Sequence, residues 1–319
     1  MQHKNHHTRP VIGIAWRTLR HSVSFRFFCE AVEEAGADYI MLDQVFSPHL
    51  SYDSHGKLTE GVDGTGALTE AAGKMLQDSA RRDSNAREVL KNVDAVLFTG
   101  GQDVSPSLYK HQKPWHKIMK ERDYLAERDV SDYLLMHYCL DRDIPLLGAC
   151  RGMQMLAVVS GAEMIQDIPS YFRELGAEYR YQHRPFYTDL KVDAPKDFAH
   201  NDVQVEKGTL LHDIVERDLL KGCPCWHHQA VRSVEGTPLK VSGYTMTGQV
   251  PMIEVVERND QTFALGVQFH PEASVLKKCR QSRNRKLYLD CDTSLLLFRS
   301  LAAAGLKKRP ASITAAIQP

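Results

Sequence analysis

The chain has 319 residues, 43% apolar and 25% charged, which is ample for a large core and unlike a disordered or fibrous protein. Lys plus Arg number 40 and Asp plus Glu number 40, so no global field draws in nucleic acid, and no nucleic-acid partner is expected. No run approaches the roughly 18 apolar residues of a membrane span, so no membrane partner is expected either.

Residues 1–10 are polar and His-rich with no apolar stretch, and are expected to be a disordered lead-in whose three histidines bind metal only as flexible tails do. With no signal peptide in view and an odd total of seven cysteines, the thiols are expected to be reduced and the setting cytoplasmic. Residues 11–16 read as a buried strand, 24–35 as a helix stopped by Gly36, and 37–42 as a second strand, a β-α-β opening. The pattern weakens over residues 47–92, where only 67–80 look helical, so this stretch is expected to be a helix-bearing insertion or a lid.

Alternation returns with a strand at 94–99, a Gly100-Gly101 turn, a helix at 124–140 and a strand at 144–148. After Gly161 come short strands at 203–206, 230–234, 239–242, 252–256 and 263–269 with few helices between them. A closing helix is expected at 292–304, followed by a loose tail over 305–319. The basic runs at 277–286 and 307–309 lack interleaved aromatics and read as solvated faces. The expected fold is α/β over residues 11–304 as a single domain. It is a mainly parallel sheet with helices on both faces and an antiparallel extension, with the site at the strand C-termini.

The chemistry concentrates at P-L-L-G-A-C-R-G-M-Q-M-L-A, residues 145–157, where an apolar run delivers Cys150 between Gly148 and Gly152 and a helix-compatible stretch follows. This is a nucleophile elbow with cysteine in place of serine, and glycines two residues to either side relieve the crowding of so sharp a turn. Free N–H groups and the positive dipole end at the helix start favour thiolate there. Such a sulfur needs a base and a group to orient it. G-V-Q-F-H-P-E-A at residues 266–273 offers His270 and Glu272, which an extended backbone before Pro271 would turn to one side. An oxyanion hole would take one donor from the backbone of Arg151 and another from the turn at Gly100 and Gly101. The other six cysteines, Cys29, Cys139, Cys223, Cys225, Cys279 and Cys291, read as ordinary buried thiols. Cys223 and Cys225 form C-x-C with no second pair at zinc spacing, so no metal site is expected.

Together, G-A-C-R-G-M-Q, T-G-G-Q-D-V-S-P-S-L-Y at residues 99–109, W-H-H-Q-A-V at 226–231 and G-V-Q-F-H-P-E resemble the class I glutamine amidotransferase superfamily. They are closer still to its stand-alone gamma-glutamyl hydrolase branch, peptidase family C26. The likeness runs from about residue 11 to 304, and Arg128-Asp129 fits a helix motif of that branch. The resemblance implies a flavodoxin-like core, a Cys-His-Glu triad at Cys150, His270 and Glu272, and a glutamyl head held by Gln154 and the segment beginning at His227. His228 and Gln229 would lend backbone groups. Three departures stand out: Pro224-Cys225 ahead of Trp226 where the branch usually has Asn-Ser, Asp132 for a frequent glutamate, and a segment at 47–92 longer than expected.

The expected function is hydrolysis of a gamma-glutamyl amide, gamma-glutamyl-gamma-aminobutyrate or a relative, through a cysteine thioester, with no metal or organic cofactor. Alternatives are a glutaminase feeding ammonia to a separate synthetase chain, or a non-catalytic gamma-glutamyl-binding regulator. The amine released and the oligomeric state, a homodimer included, stay open.

Overall fold

A computed structural model describes residues 9–16, 23–79, 84–111, 123–184, 198–275 and 288–308. The expected lead-in, the basic run at 277–286, most of the C-terminal tail and Cys279 lie outside these residues, apart from the tail's first four positions and the last two of the lead-in.

Strands β1 (Val11–Ile14), β2 (Asp38–Met41), β3 (Ala95–Phe98), β4 (Leu146–Ala149) and β11 (Ala264–Val267) pair in parallel, in the order β2-β1-β3-β4-β11. From β11 the sheet turns antiparallel through β10 (Val250–Arg258), β9 (Leu239–Thr247), β6 (Ala199–Val205) and β7 (Leu219–Cys225). A side branch, β5 (Glu163–Ile165) on β8 (Ala230–Ser233), joins at β10. The expected parallel sheet with an antiparallel extension is the observed architecture.

The parallel strands are apolar on both faces because helices cover both. In β3 the side chains of Val96 and Phe98 face one core and those of Ala95 and Leu97 face the other. The first core is closed by α2 (Glu70–Ser79), α3 (Ala86–Val89), α4 (Ala126–Asp141) and α5 (Arg151–Val159). The second is closed by α1 (Val23–Glu34), α7 (Leu210–Val215), α8 (Pro271–Val275) and α9 (Cys291–Lys308). Helix α9 runs four residues past the expected end at Ala304. Among the described residues no helix is long and apolar enough to cross a membrane.

Residues 47–92 carry α2 and α3 and two small antiparallel bridges, Tyr52 with Leu58 and Val62 with Leu68. Leu68, Ala72, Leu76 and Ala86 are buried in the first core, and the Leu68 N–H donates to Ser105 Oγ at 2.9 Å. The segment is thus built onto the loop that follows β3.

Several elements escape a periodicity reading. β7 contains Gly222 and Pro224, which argue against a strand, but it is the last strand of the sheet path, where a missing N–H is tolerated. β5 has three residues and α7 six, too few to show a period; α7 is set instead by its N-cap, Thr209, which accepts from the His212 N–H. α6 (Ile168–Glu174) is likewise started by the Asp167 side chain, which accepts from the Ser170 N–H.

Candidate active site

β4 ends at Ala149 and α5 begins at Arg151, so one residue, Cys150, makes the whole turn, with φ +52° and ψ −105°. This is a sparsely populated conformation for a residue with a side chain. The flanking glycines have a specific cause. A Cβ on Gly148 would lie 2.5 Å from the backbone of Gly152, and one on Gly152 would lie 2.4 Å from the Phe98 carbonyl oxygen. Helix and sheet approach too closely there for any side chain. The Cys150 N–H donates to Val267 O at 2.7 Å, tying the elbow to the end of β11.

Three residues past that end, the His270 N–H donates to Pro224 O at 2.7 Å, and α8 starts at Pro271. Glu272 therefore sits in the first turn of a helix, where a sequence reading expects it on an extended strand end. Proline at the first helical position sets the turn, and a carboxylate there suits the dipole. Glu272 Oε1 is 2.7 Å from His270 Nδ1, and the Cys150 side chain interacts with the same imidazole. Burial works to keep this imidazole neutral, but the charges of Glu272 and Cys150 outweigh it and push His270 up to about 10.

Four other thiols are buried among the described residues. Burial pushes Cys29 up to about 11 and drives Cys139, Cys223 and Cys225 upward as well, away from thiolate. None of these four has an imidazole against its sulfur in a hydrogen bond of the described structure.

The turn after β3 lies against Cys150 and His270. A Cβ on Gly100 would be 2.8 Å from His270 Cε1 and 3.5 Å from Cys150 Cβ, and one on Gly101, at φ +152°, would collide with the Arg128 guanidinium. Arg128 is fully buried and donates to Thr99 O, Gly100 O and Gln102 Oε1, each at 3.0 Å. It also pairs with Asp132, and Arg151 pairs with both Asp129 and Asp132. Two guanidinium and two carboxylate groups thus form a neutral buried quartet that staples the turn to α4 and α5. Burial, then the neighbouring Arg151, lowers Arg128 to about 10. Arg151 contributes its side chain to this quartet.

Gln154, one turn into α5, donates through Nε2 to Gln229 O at 3.0 Å and Gln268 Oε1 at 3.3 Å. Gln229 Oε1 accepts from the Val104 N–H at 3.0 Å, bridging to the glycine turn's loop. The His228 carbonyl accepts from the Ile168 N–H at 2.7 Å. In this segment the carbonyl facing the thiol is that of Trp226, whose oxygen is 3.9 Å from Cys150 Sγ. The His228 ring is clamped between Asp103 at 2.9 Å and Asp167 at 3.3 Å. Burial disfavours its charge, yet these two carboxylates push it up to about 9. His227 turns away from the thiol: its Nδ1 meets Gln229 O at 2.9 Å and its Nε2 faces His183 and Glu254.

Sequence reading did not find Asp103, Asp167, His183 or Glu254. Glu254 had a signal, a lone carboxylate inside the apolar run of β10; His183 stands in a polar stretch that gave none.

The chain belongs to the peptidase C26 family, whose profile matches residues 65–272. It is 30% identical over 206 residues to Protein NtpR of Enterococcus hirae, covering 65% of this chain and 78% of that one. Over 187 residues it is 28% identical to gamma-glutamyl-gamma-aminobutyrate hydrolase of Escherichia coli O157:H7, covering 58% and 66%. The solved glutaminase domain of Trypanosoma brucei CTPS, with bound acivicin, shares the fold at TM-score 0.50 and 17% identity, covering 94% of this chain and 95% of that one.

Proposed function

We propose that this chain hydrolyses a gamma-glutamyl amide bond through a thioester on Cys150. The observation that carries the reading is one arrangement: a cysteine at a strained strand-to-helix turn, beside an imidazole that is held by a carboxylate 2.7 Å away.

In the reaction, the Cys150 sulfur attacks the side-chain carbonyl carbon, and the oxygen's negative charge is taken by the Arg151 N–H and the turn at Gly100 and Gly101. As the C–N bond breaks, His270 gives its proton to the departing amine. A water then loses a proton to His270 and attacks the thioester. Glutamate leaves, and the thiolate and imidazolium are restored. Glu272 stays ionised and keeps the imidazole aimed at the sulfur. Gln154 and residues 226–229 hold the glutamyl head, and leaving-group preference lies with Trp226 and its neighbours. Similarity to gamma-glutamyl-gamma-aminobutyrate hydrolase supports this substrate class.

The test is glutamate release from a panel of gamma-glutamyl amides, free glutamine included, by the wild-type chain and Cys150→Ala. Release by the wild type alone supports the reading. Equal release by both refutes it, and turnover of glutamine in preference to every substituted amide moves the assignment to a glutaminase.

A further inference from the structure

Behind the segment at residues 226–229 lies a second cluster of chemistry-bearing side chains: His183, His227 and Glu254, all buried. His183 Nδ1 is 3.2 Å from His227 Nε2 and 3.2 Å from Glu254 Oε1, and His227 Nε2 is 3.8 Å from the same oxygen. Three ligand atoms bonded to one tetrahedral zinc at about 2.0–2.1 Å stand about 3.3–3.4 Å apart. Two edges of the observed triangle are close to that length, and the third, at 3.8 Å, is longer.

The outward-facing atoms of the two rings fix what points inward. His227 Nδ1 faces the Gln229 carbonyl at 2.9 Å; a carbonyl only accepts, so Nδ1 carries the proton and Nε2 presents a lone pair to the cluster. His183 Nε2 meets Thr247 Oγ1 at 2.7 Å, and its Nδ1 meets the Asn201 amide nitrogen at 3.3 Å, an arrangement that leaves a lone pair on Nδ1 as well. Two lone pairs therefore converge with a carboxylate, and each ring is held from behind by a backbone carbonyl or a hydroxyl, as metal-bound imidazoles are. The ion-pair partners of Glu254 among the described residues are both histidines, and neither of its oxygens has a hydrogen bond there.

We propose that His183, His227 and Glu254 bind one divalent transition ion of the zinc type, a structural site separate from Cys150. The Asn201 amide nitrogen lies beside the cluster, 3.3 Å from His183 Nδ1, and also donates to Gln182 O at 3.3 Å. The ion joins β10 to His227. The His227 ring fixes the Gln229 carbonyl, and that carbonyl takes the amide of Gln154. It thus anchors the segment that lines the elbow from outside the reacting atoms.

The thiol of Cys150 and the histidines His3, His6 and His7 can also take zinc. The test is therefore made on the full chain with Cys150→Ala and these three changed to Gln. Metal content after exhaustive gel filtration, cobalt(II) absorption and the melting temperature with and without added zinc are measured. The expected result is one equivalent of metal, a ligand-field spectrum and a zinc-dependent rise in melting temperature. In the same background Glu254→Gln weakens zinc binding at least 100-fold, and Thr247→Val, which removes the hydroxyl behind His183, weakens it about 10–100-fold. No metal and no cobalt spectrum in the parent overturns the proposal and leaves a hydrogen-bonded trio. So does undiminished binding in Glu254→Gln. Should Glu254→Gln fail to fold, metal content of the parent and of Thr247→Val decides. Loss of the gamma-glutamyl activity reading would leave this outcome untouched.

Discussion

Gly100 and His270 are in contact, with a methyl group on Gly100 falling 2.8 Å from the imidazole Cε1. The turn that supplies the second oxyanion donor and the base of the proposed reaction share one van der Waals boundary. Gly100→Ala forces either the ring or the turn to move by a few tenths of an ångström. The expected outcome is a fall in kcat of about 10²–10³-fold, the scale of losing one oxyanion donor. A melting curve close to that of the wild type shows that the loss is local.

His270 gives a pH signature. Its pKa is raised from 6.5 to about 10, so the charged form is favoured by the fold. The stability this adds is complete below pH 6.5, and it is lost as pH rises through about 10. The alkaline limb of kcat/KM should follow the same proton. Glu272→Gln removes the main charge that opposes burial, so that limb moves to lower pH and kcat falls by up to about 10⁴-fold. A pH–rate profile of the two proteins with one gamma-glutamyl amide is the measurement, and an unmoved limb contradicts the role given to Glu272.

Arg128 holds three acceptors of the glycine turn from a wholly buried position. A lysine keeps the charge but has no planar fork with which to reach Thr99 O, Gly100 O and Asp132 together. Arg128→Lys is expected to lower stability by about 3–5 kcal/mol in denaturant unfolding, the range for breaking a buried ion pair, and to lower kcat through the unpinned turn.

Trp226 gives its carbonyl to the side of the thiol, while its ring stands edge-on to Phe198 at 6.4 Å with the Arg184 guanidinium 5.7 Å above it. Phe198 in turn lies 5.1 Å from the His270 ring. Trp226→Ala keeps the carbonyl and removes the wall. Ranking kcat/KM across the amide panel before and after should show the order of leaving groups changed, with KM moving more than kcat.

The elbow, its histidine and the Gly100-Gly101 turn are legible in sequence because each depends on local chemistry: glycine where a backbone passes, an apolar strand before a sharp turn. The parallel half of the sheet was legible for the same reason. Glu272 was found on the right side of His270 for the wrong reason, since the first turn of α8 places it there and not an extended strand. The quartet of Arg128, Asp129, Asp132 and Arg151 was only half visible. Spacing of four on α4 pairs Arg128 with Asp132, but the meeting with Arg151 is a tertiary event across two helices. His183 and Asp167 join the site region from stretches with no periodicity, brought there by strand pairing far away in sequence.

The positive φ at Cys150 has one more consequence. Glycine adopts such a conformation without the penalty a side chain incurs, of order 1–3 kcal/mol. Cys150→Gly should therefore melt above the wild type while releasing no glutamate. Any screen for thermal tolerance alone, run without an activity filter, will tend to discard the sulfur first.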